Sequence, residues 1–147
     1  MKIRGMAVPF DTPTVIGIDG IVYIESVSPH AFDNPNDMTD VRILVGHDET
    51  KNAIARYKKD GTSTAKFWAE ADGLYFEADI VDYSVYQSIK RGDVNGVSIG
   101  FRLNPEEDTL WDLKSEPPVC YILRAHLKEI SIVNFPAYPT AYVEAVE

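Results

Sequence analysis

Ser98, His47 and Glu129 are the residues of this 147-residue chain whose types and settings suit acyl-transfer chemistry. Ser98 lies in Asn95-Gly96-Val97-Ser98-Ile99-Gly100-Phe101, flanked by apolar residues and then by glycines. Asn95-Gly96 reads as a turn and Gly100 as a position that opens space, so the serine is held by a strand and reachable from outside. A hydroxyl so placed is a candidate nucleophile. The plainer reading, which this segment alone favours, is a small residue packed in a strand after a turn.

A serine nucleophile needs a base to take its proton, and the base must be oriented and partly exposed. His47 follows the β-branched and apolar run from Val41 to Val45 and precedes Asp48-Glu49, which places it at a strand end where scaffolds present side chains to clefts. Of the other two histidines, His30 sits in a short helical segment and suits packing or capping, while His126 opens a strand and could face either way. A metal reading of His47-Asp48-Glu49 is disfavoured, because adjacent residues rarely converge on one ion and no His-x-x-x-His or Cys-x-x-Cys spacing exists. No metal and no cofactor are expected. Cys120, the single cysteine, stands in an apolar strand as a buried inert thiol and leaves no internal disulfide to form.

The imidazole in turn needs a third group that fixes it and stabilises its charged form. Glu129 lies in Leu127-Lys128-Glu129-Ile130-Ser131-Ile132-Val133. Simple alternation puts Glu129 on one face with Leu127, Ser131 and Val133, and His126 on the other face. A carboxylate in so apolar a strand needs a partner, and a salt bridge or an exposed edge would also supply one.

The elements that must position these residues are mostly strands. Residues 2–8, 21–24, 41–45, 74–81, 119–123 and 127–133 read as strands, with a meander over 52–81 broken at Lys59-Asp60-Gly61 and Ala71-Asp72-Gly73. Pro9, Pro13 and Gly17 mark a loop. A brief helix is expected from Ser28 as N-cap and Pro29 as first residue until Asn34-Pro35-Asn36 breaks it. A longer helix runs from Asp82, which caps it, to Gly92, which ends it. Residues 104–118 form an acidic excursion holding a short strand at Leu110-Trp111-Asp112-Leu113. The sum is a mainly β (α+β) single domain over residues 1–147, a partly closed β-barrel with a few flanking helices. The 45% hydrophobic content suits one core. The net charge of −9 argues against a nucleic-acid partner, and no apolar run approaches the roughly twenty residues of a membrane span, so a soluble intracellular protein is expected.

Gly96-Val97-Ser98-Ile99-Gly100-Phe101 and the run from Leu127 through Val133 to Asn134-Phe135-Pro136-Ala137-Tyr138 closely resemble two signature blocks of the prohead maturation proteases of tailed bacteriophages. So do Gly5-Met6-Ala7-Val8-Pro9-Phe10-Asp11, Ala31-Phe32-Asp33, Gly46-His47-Asp48, Gly73-Leu74-Tyr75-Phe76-Glu77-Ala78 and Arg91-Gly92-Asp93, in the expected order along nearly the whole chain. The resemblance implies a serine endopeptidase with a fold like that of the herpesvirus capsid-assembly protease. It also implies Ser98 as nucleophile, His47 as base and Glu129 as third member, with His126 the alternative because the viral relatives use a second histidine there. His30 stands where the family more often has glycine. For the oxyanion site, backbone amides near Ser98 and Arg102 are the alternatives. The implied substrates are scaffold and major capsid protein segments, cleaved inside the procapsid in the host cytoplasm. Self-cleavage is implied too, and the chain's end soon after Pro139 suits a trimmed or self-processed core; a homodimer is left open. A catalytically silent scaffold or capsid-binding module with the same fold is the competing function.

Overall fold

Alternating apolar and polar residues fold 49% of this chain into strands, and the computed structural model describes residues 1–146. In chain order the elements are β1 (Lys2–Pro9), β2 (Thr14–Ile18), β3 (Ile21–Val27), a single 3-10 turn (Pro35–Asp37), β4 (Asp40–Val45), β5 (Ala55–Lys58), β6 (Ala65–Glu70), β7 (Gly73–Asp79), α1 (Tyr83–Arg91), β8 (Gly96–Arg102), α2 (Pro105–Asp108), β9 (Thr109–Asp112), β10 (Val119–Ile122), β11 (His126–Val133) and β12 (Tyr142–Val146). Eight of the strands form one sheet in the order β5-β4-β11-β8-β12-β1-β7-β6, and β2-β3-β10-β9 form a second. The ends of the large sheet, β5 and β6, come together. Arg56 N donates to Thr64 Oγ1 and Thr64 N to Arg56 O, each at 2.9 Å, and Tyr57 meets Phe67 edge-on. The result is the mainly β, nearly closed barrel that the patterning predicts.

The core follows from the alternation. Along β7, Leu74, Phe76 and Ala78 are buried while Tyr75, Glu77 and Asp79 face outward. Ile3, Val97, Ile130 and Ile43 join them from other strands. Asp82 caps α1 by accepting from Val85 N at 3.0 Å, and Gly92 closes it in the left-handed region at φ 82° with its N–H on the Ile89 and Ser88 carbonyls, as expected. The second sheet buries a carboxylate: Glu25 accepts from the Tyr23 hydroxyl at 2.9 Å and from the Tyr138 hydroxyl. Burial beside that carboxylate pushes the Tyr138 phenol upward, so it stays a donor and ties the loop after β11 to the second sheet.

Several expectations shift. Gly17 lies inside β2, paired with Val22, rather than in a loop. The helix expected after Ser28 is only a turn: Ser28 Oγ accepts from His30 N at 3.2 Å, but the helical stretch comes later, at Pro35–Asp37 under an Asn34 cap. A residue preceding proline avoids helical dihedrals, so Asn34 separates the two pieces. Asn95-Gly96 is no turn either, since Gly92-Asp93 reverses the chain and Gly96 is already the buried first residue of β8. α2 and β12 answer to no sequence signal read above.

Gly5 allows the close approach of β1 to β12. A Cβ there would stand 1.9 Å from the Tyr142 carbonyl oxygen, which the sheet cannot move aside. Gly5→Ala is therefore expected to destabilise the fold by about 1–3 kcal/mol, read as a lower urea midpoint at unchanged slope.

Candidate active site

β11 lies between two partners that bring distant residues to it. It runs parallel to β4, pairing Ile132 with Val45, and antiparallel to β8, pairing Ser131 with Ser98 and Glu129 with Gly100. Parallel strands end on the same side, so the chain leaving β4 emerges beside the end of β11, where Gly46 N donates to Ile132 O at 2.9 Å. Gly46 (φ 61°) and His47 (φ 57°) are then both left-handed. For histidine that conformation is strained by on the order of 1 kcal/mol, and it folds His47 back over β11.

There the His47 ring meets Glu129: Nδ1 lies 2.5 Å from Oε1. The other carboxylate oxygen, Oε2, accepts from the Ser131 hydroxyl at 2.7 Å, and Ser131 Oγ accepts from the His47 backbone N–H at 3.0 Å. Glu129 is only 6% exposed and Ser131 is fully buried, whereas the His47 side chain is 45% exposed. With both carboxylate oxygens accepting, Nδ1 carries the ring proton and Nε2 is the acceptor. The remaining neighbours do not compete. Asp48 accepts from the Thr50 amide and hydroxyl, which lowers its pKa, and Glu49 pairs with Lys128 at 2.8 Å. His47, Asp48 and Glu49 thus turn to three different partners, and no metal-binding group of three or more His, Cys, Asp or Glu occurs among the described residues.

Simple alternation fails along β11, and the failure matters. The register slips between Leu127 and Glu129, which pair with the adjacent residues Phe101 and Gly100. The extra residue, exposed Lys128, sends Leu127 to the core face with Ile130 and Ile132, and leaves Glu129 with Ser131, Ser98 and Gly100 on the opposite face. His126 falls nominally on the Glu129 face, contrary to the expected opposite face, but its Nδ1 is engaged with Asn36 O at 2.9 Å. His30 lies on the surface against Asp33 at 2.7 Å. Arg102 pairs with His126 at the exposed end of β8.

Ser98 shares a strand face with Ser131 and Glu129, directly across from Ser131, yet it is only 9% exposed and no hydrogen bond joins it to His47 among the described residues. The flanking glycines do not open a path to it. A Cβ at Gly100 would lie 2.6 Å from Glu129 Oε1, and one at Gly96 would lie 2.7 Å from the Pro136 ring, so both spaces are filled from within. Sequence reasoning thus missed Ser131 and the role of Gly100. Their signal was a hydroxyl two residues from a buried carboxylate and a glycine opposite it. Hollows flank the site. One of about 500 Å³ lies between α1 and the ends of β4 and β11, walled by Val45, Gly46, Val94, Val133 and the exposed Phe135. Another, of about 330 Å³, reaches Glu129 beneath the loop of Glu49 to Ala53.

A nearly closed β-barrel thus carries a histidine–carboxylate pair on the strand face that bears a serine. The family model for the Caudovirus prohead serine proteases matches residues 1–147, and the chain belongs to that family. It is a serine peptidase of the prohead type. No curated protein and no solved structure matches the chain.

Gly100→Ala is expected to push the Glu129 carboxylate off Nδ1 and, because a buried charged group then loses a partner, to destabilise the fold by about 1–3 kcal/mol, checked by urea unfolding. Burial, reinforced by Glu25, pushes the Cys120 thiol up to about 11. Iodoacetamide at neutral pH should accordingly leave both the thiol and the activity untouched, as mass spectrometry and a peptidase assay would record.

Proposed function

We propose that Ser98, His47 and Glu129 act together as a catalytic triad that cleaves scaffold and major capsid protein segments inside the procapsid, and that the chain also cleaves itself. The observation that carries this reading is the 2.5 Å contact of His47 Nδ1 with buried Glu129, on the strand face that bears Ser98. Membership in the prohead protease family supports the substrate class and the procapsid setting.

In the proposed reaction, His47 Nε2 takes the Ser98 proton as Oγ attacks the scissile carbonyl carbon. Glu129 stabilises the imidazolium that forms. The tetrahedral intermediate collapses as the imidazolium gives its proton to the leaving amine, and the C–N bond breaks. Water, deprotonated by the same nitrogen, then attacks the acyl-serine ester and restores the hydroxyl. The 500 Å³ hollow beside Gly46, with its aliphatic walls, suits an apolar substrate side chain near the scissile bond.

Ser98 makes no hydrogen bond to His47 among the described residues, which favours a second reading, a catalytically silent capsid-binding module that keeps the fold. A fluorophosphonate probe separates the two: the peptidase labels at Ser98, and the silent module does not label. Ser98→Ala should abolish cleavage of capsid protein without unfolding the chain, and retention of the wild-type rate would end the proposal. Glu129→Gln should cut kcat strongly at little change in KM, and His126→Ala should be mild.

A further inference from the structure

We propose that Ser131 is the positioning residue of this site: its hydroxyl closes a ring of hydrogen bonds that begins and ends on His47. This inference rests on the triad reading above and concerns a residue that does not itself touch substrate. The ring runs from the His47 backbone N–H to Ser131 Oγ, from the Ser131 hydroxyl to Glu129 Oε2, and from Glu129 Oε1 to the proton on His47 Nδ1. Each link has one direction. The backbone amide donates, so the serine accepts there and its own proton goes to the carboxylate. Two oxygens that each accept one bond place the Nδ1 proton toward Glu129.

The ring performs two jobs that neither Glu129 nor His47 performs alone. A glutamate side chain has three rotatable bonds, and in a strand it would sweep a wide arc; a donor held two residues on, on the same face, pins Oε2 and thereby aims Oε1 at Nδ1. The left-handed His47 backbone is also strained, and its N–H has turned away from the β4 ladder. Ser131 supplies the acceptor that makes that turn tolerable.

Ser131 lies opposite Ser98 in the β8–β11 register. Its own attack on a substrate is excluded, because it is fully buried and its proton is committed to Glu129.

The test uses the full chain. A peptide substrate gives kcat and KM, and one-dimensional proton NMR follows the low-field Nδ1 proton shared between His47 and Glu129, identified by its loss in His47→Gln. Ser131→Ala should lower kcat at least about ten-fold with KM nearly unchanged, and should move or broaden the Nδ1 resonance. In a Glu129→Gln background the same substitution should cost clearly less than in the wild type, since the part of its action that runs through that carboxylate is already gone. Unchanged kcat or an unchanged resonance in folded Ser131→Ala overturns the proposal, as does an effect that simply adds to that of Glu129→Gln. Should the alanine variant not fold, Ser131→Thr keeps the hydroxyl and should retain the resonance; its loss in folded protein also counts against the role. The resonance is read whether or not the protein cleaves, so an inactive wild type would sink the triad reading while the NMR arm still decides Ser131.

Discussion

A carboxylate has to be kept charged inside an apolar strand, and the geometry around Glu129 is the consequence. Stripping water from an ionised carboxyl costs several kcal/mol unless hydrogen bonds replace it. At 6% exposure Glu129 has little water left, and its two oxygens are instead met by the Ser131 hydroxyl and the His47 ring. Space for the carboxylate comes from Gly100, where any side chain would occupy the same volume. A glycine, a serine and a left-handed histidine are thus three answers to one electrostatic demand.

Chain topology explains how these answers come from such distant residues. β11 is an interior strand, and its two neighbours carry the other participants: β4 on one side leads into His47, and β8 on the other holds Ser98 and Gly100. A parallel neighbour needs a long crossover, because its ends lie on opposite sides of the sheet. Here β5, β6, β7, α1, β8, α2, β9 and β10 lie between β4 and β11, so the crossover builds barrel wall, brings in Ser98 and Gly100, and adds two strands to the second sheet. Exposed ion pairs such as Lys128 with Glu49 hold the loop near the sheet but contribute little in solvent.

What the sequence made legible is what depends on period and caps. β7 declares itself through Leu74, Phe76 and Ala78, and α1 through Asp82 and Gly92, since each of these is a local choice. The contact of His47 with Glu129 was legible only through the resemblance to a family, because 82 residues separate the two and no local rule connects them. Alternation did put Ser131 on the Glu129 face, but its bond to the carboxylate and the place of Gly100 opposite it depend on side-chain geometry and strand register that no local pattern gives. A strand's faces are read by parity, and the extra residue at Lys128 reverses parity within β11, so Leu127 and Glu129 part company and the face of His126 is misjudged. Gly17 and β12 escaped because glycine reads as a breaker even where a strand simply passes through it, and because Tyr142–Val146 follows directly on a proline-rich loop.

The site is asymmetric in the way general-base chemistry requires. Every polar atom on the Glu129 side is spent: both carboxylate oxygens, the Ser131 hydroxyl, the His47 amide and Nδ1 all close on one another. Among the described residues, that leaves Nε2 as the ring atom without a bond, on a side chain that is nearly half exposed. A base whose inner nitrogen is saturated cannot take a proton there, so any proton it accepts must come from the outer side. The ring of hydrogen bonds therefore does more than hold an imidazole in place. It leaves Nε2 as the nitrogen on the exposed side, and it puts the negative charge of Glu129 where little water reaches it.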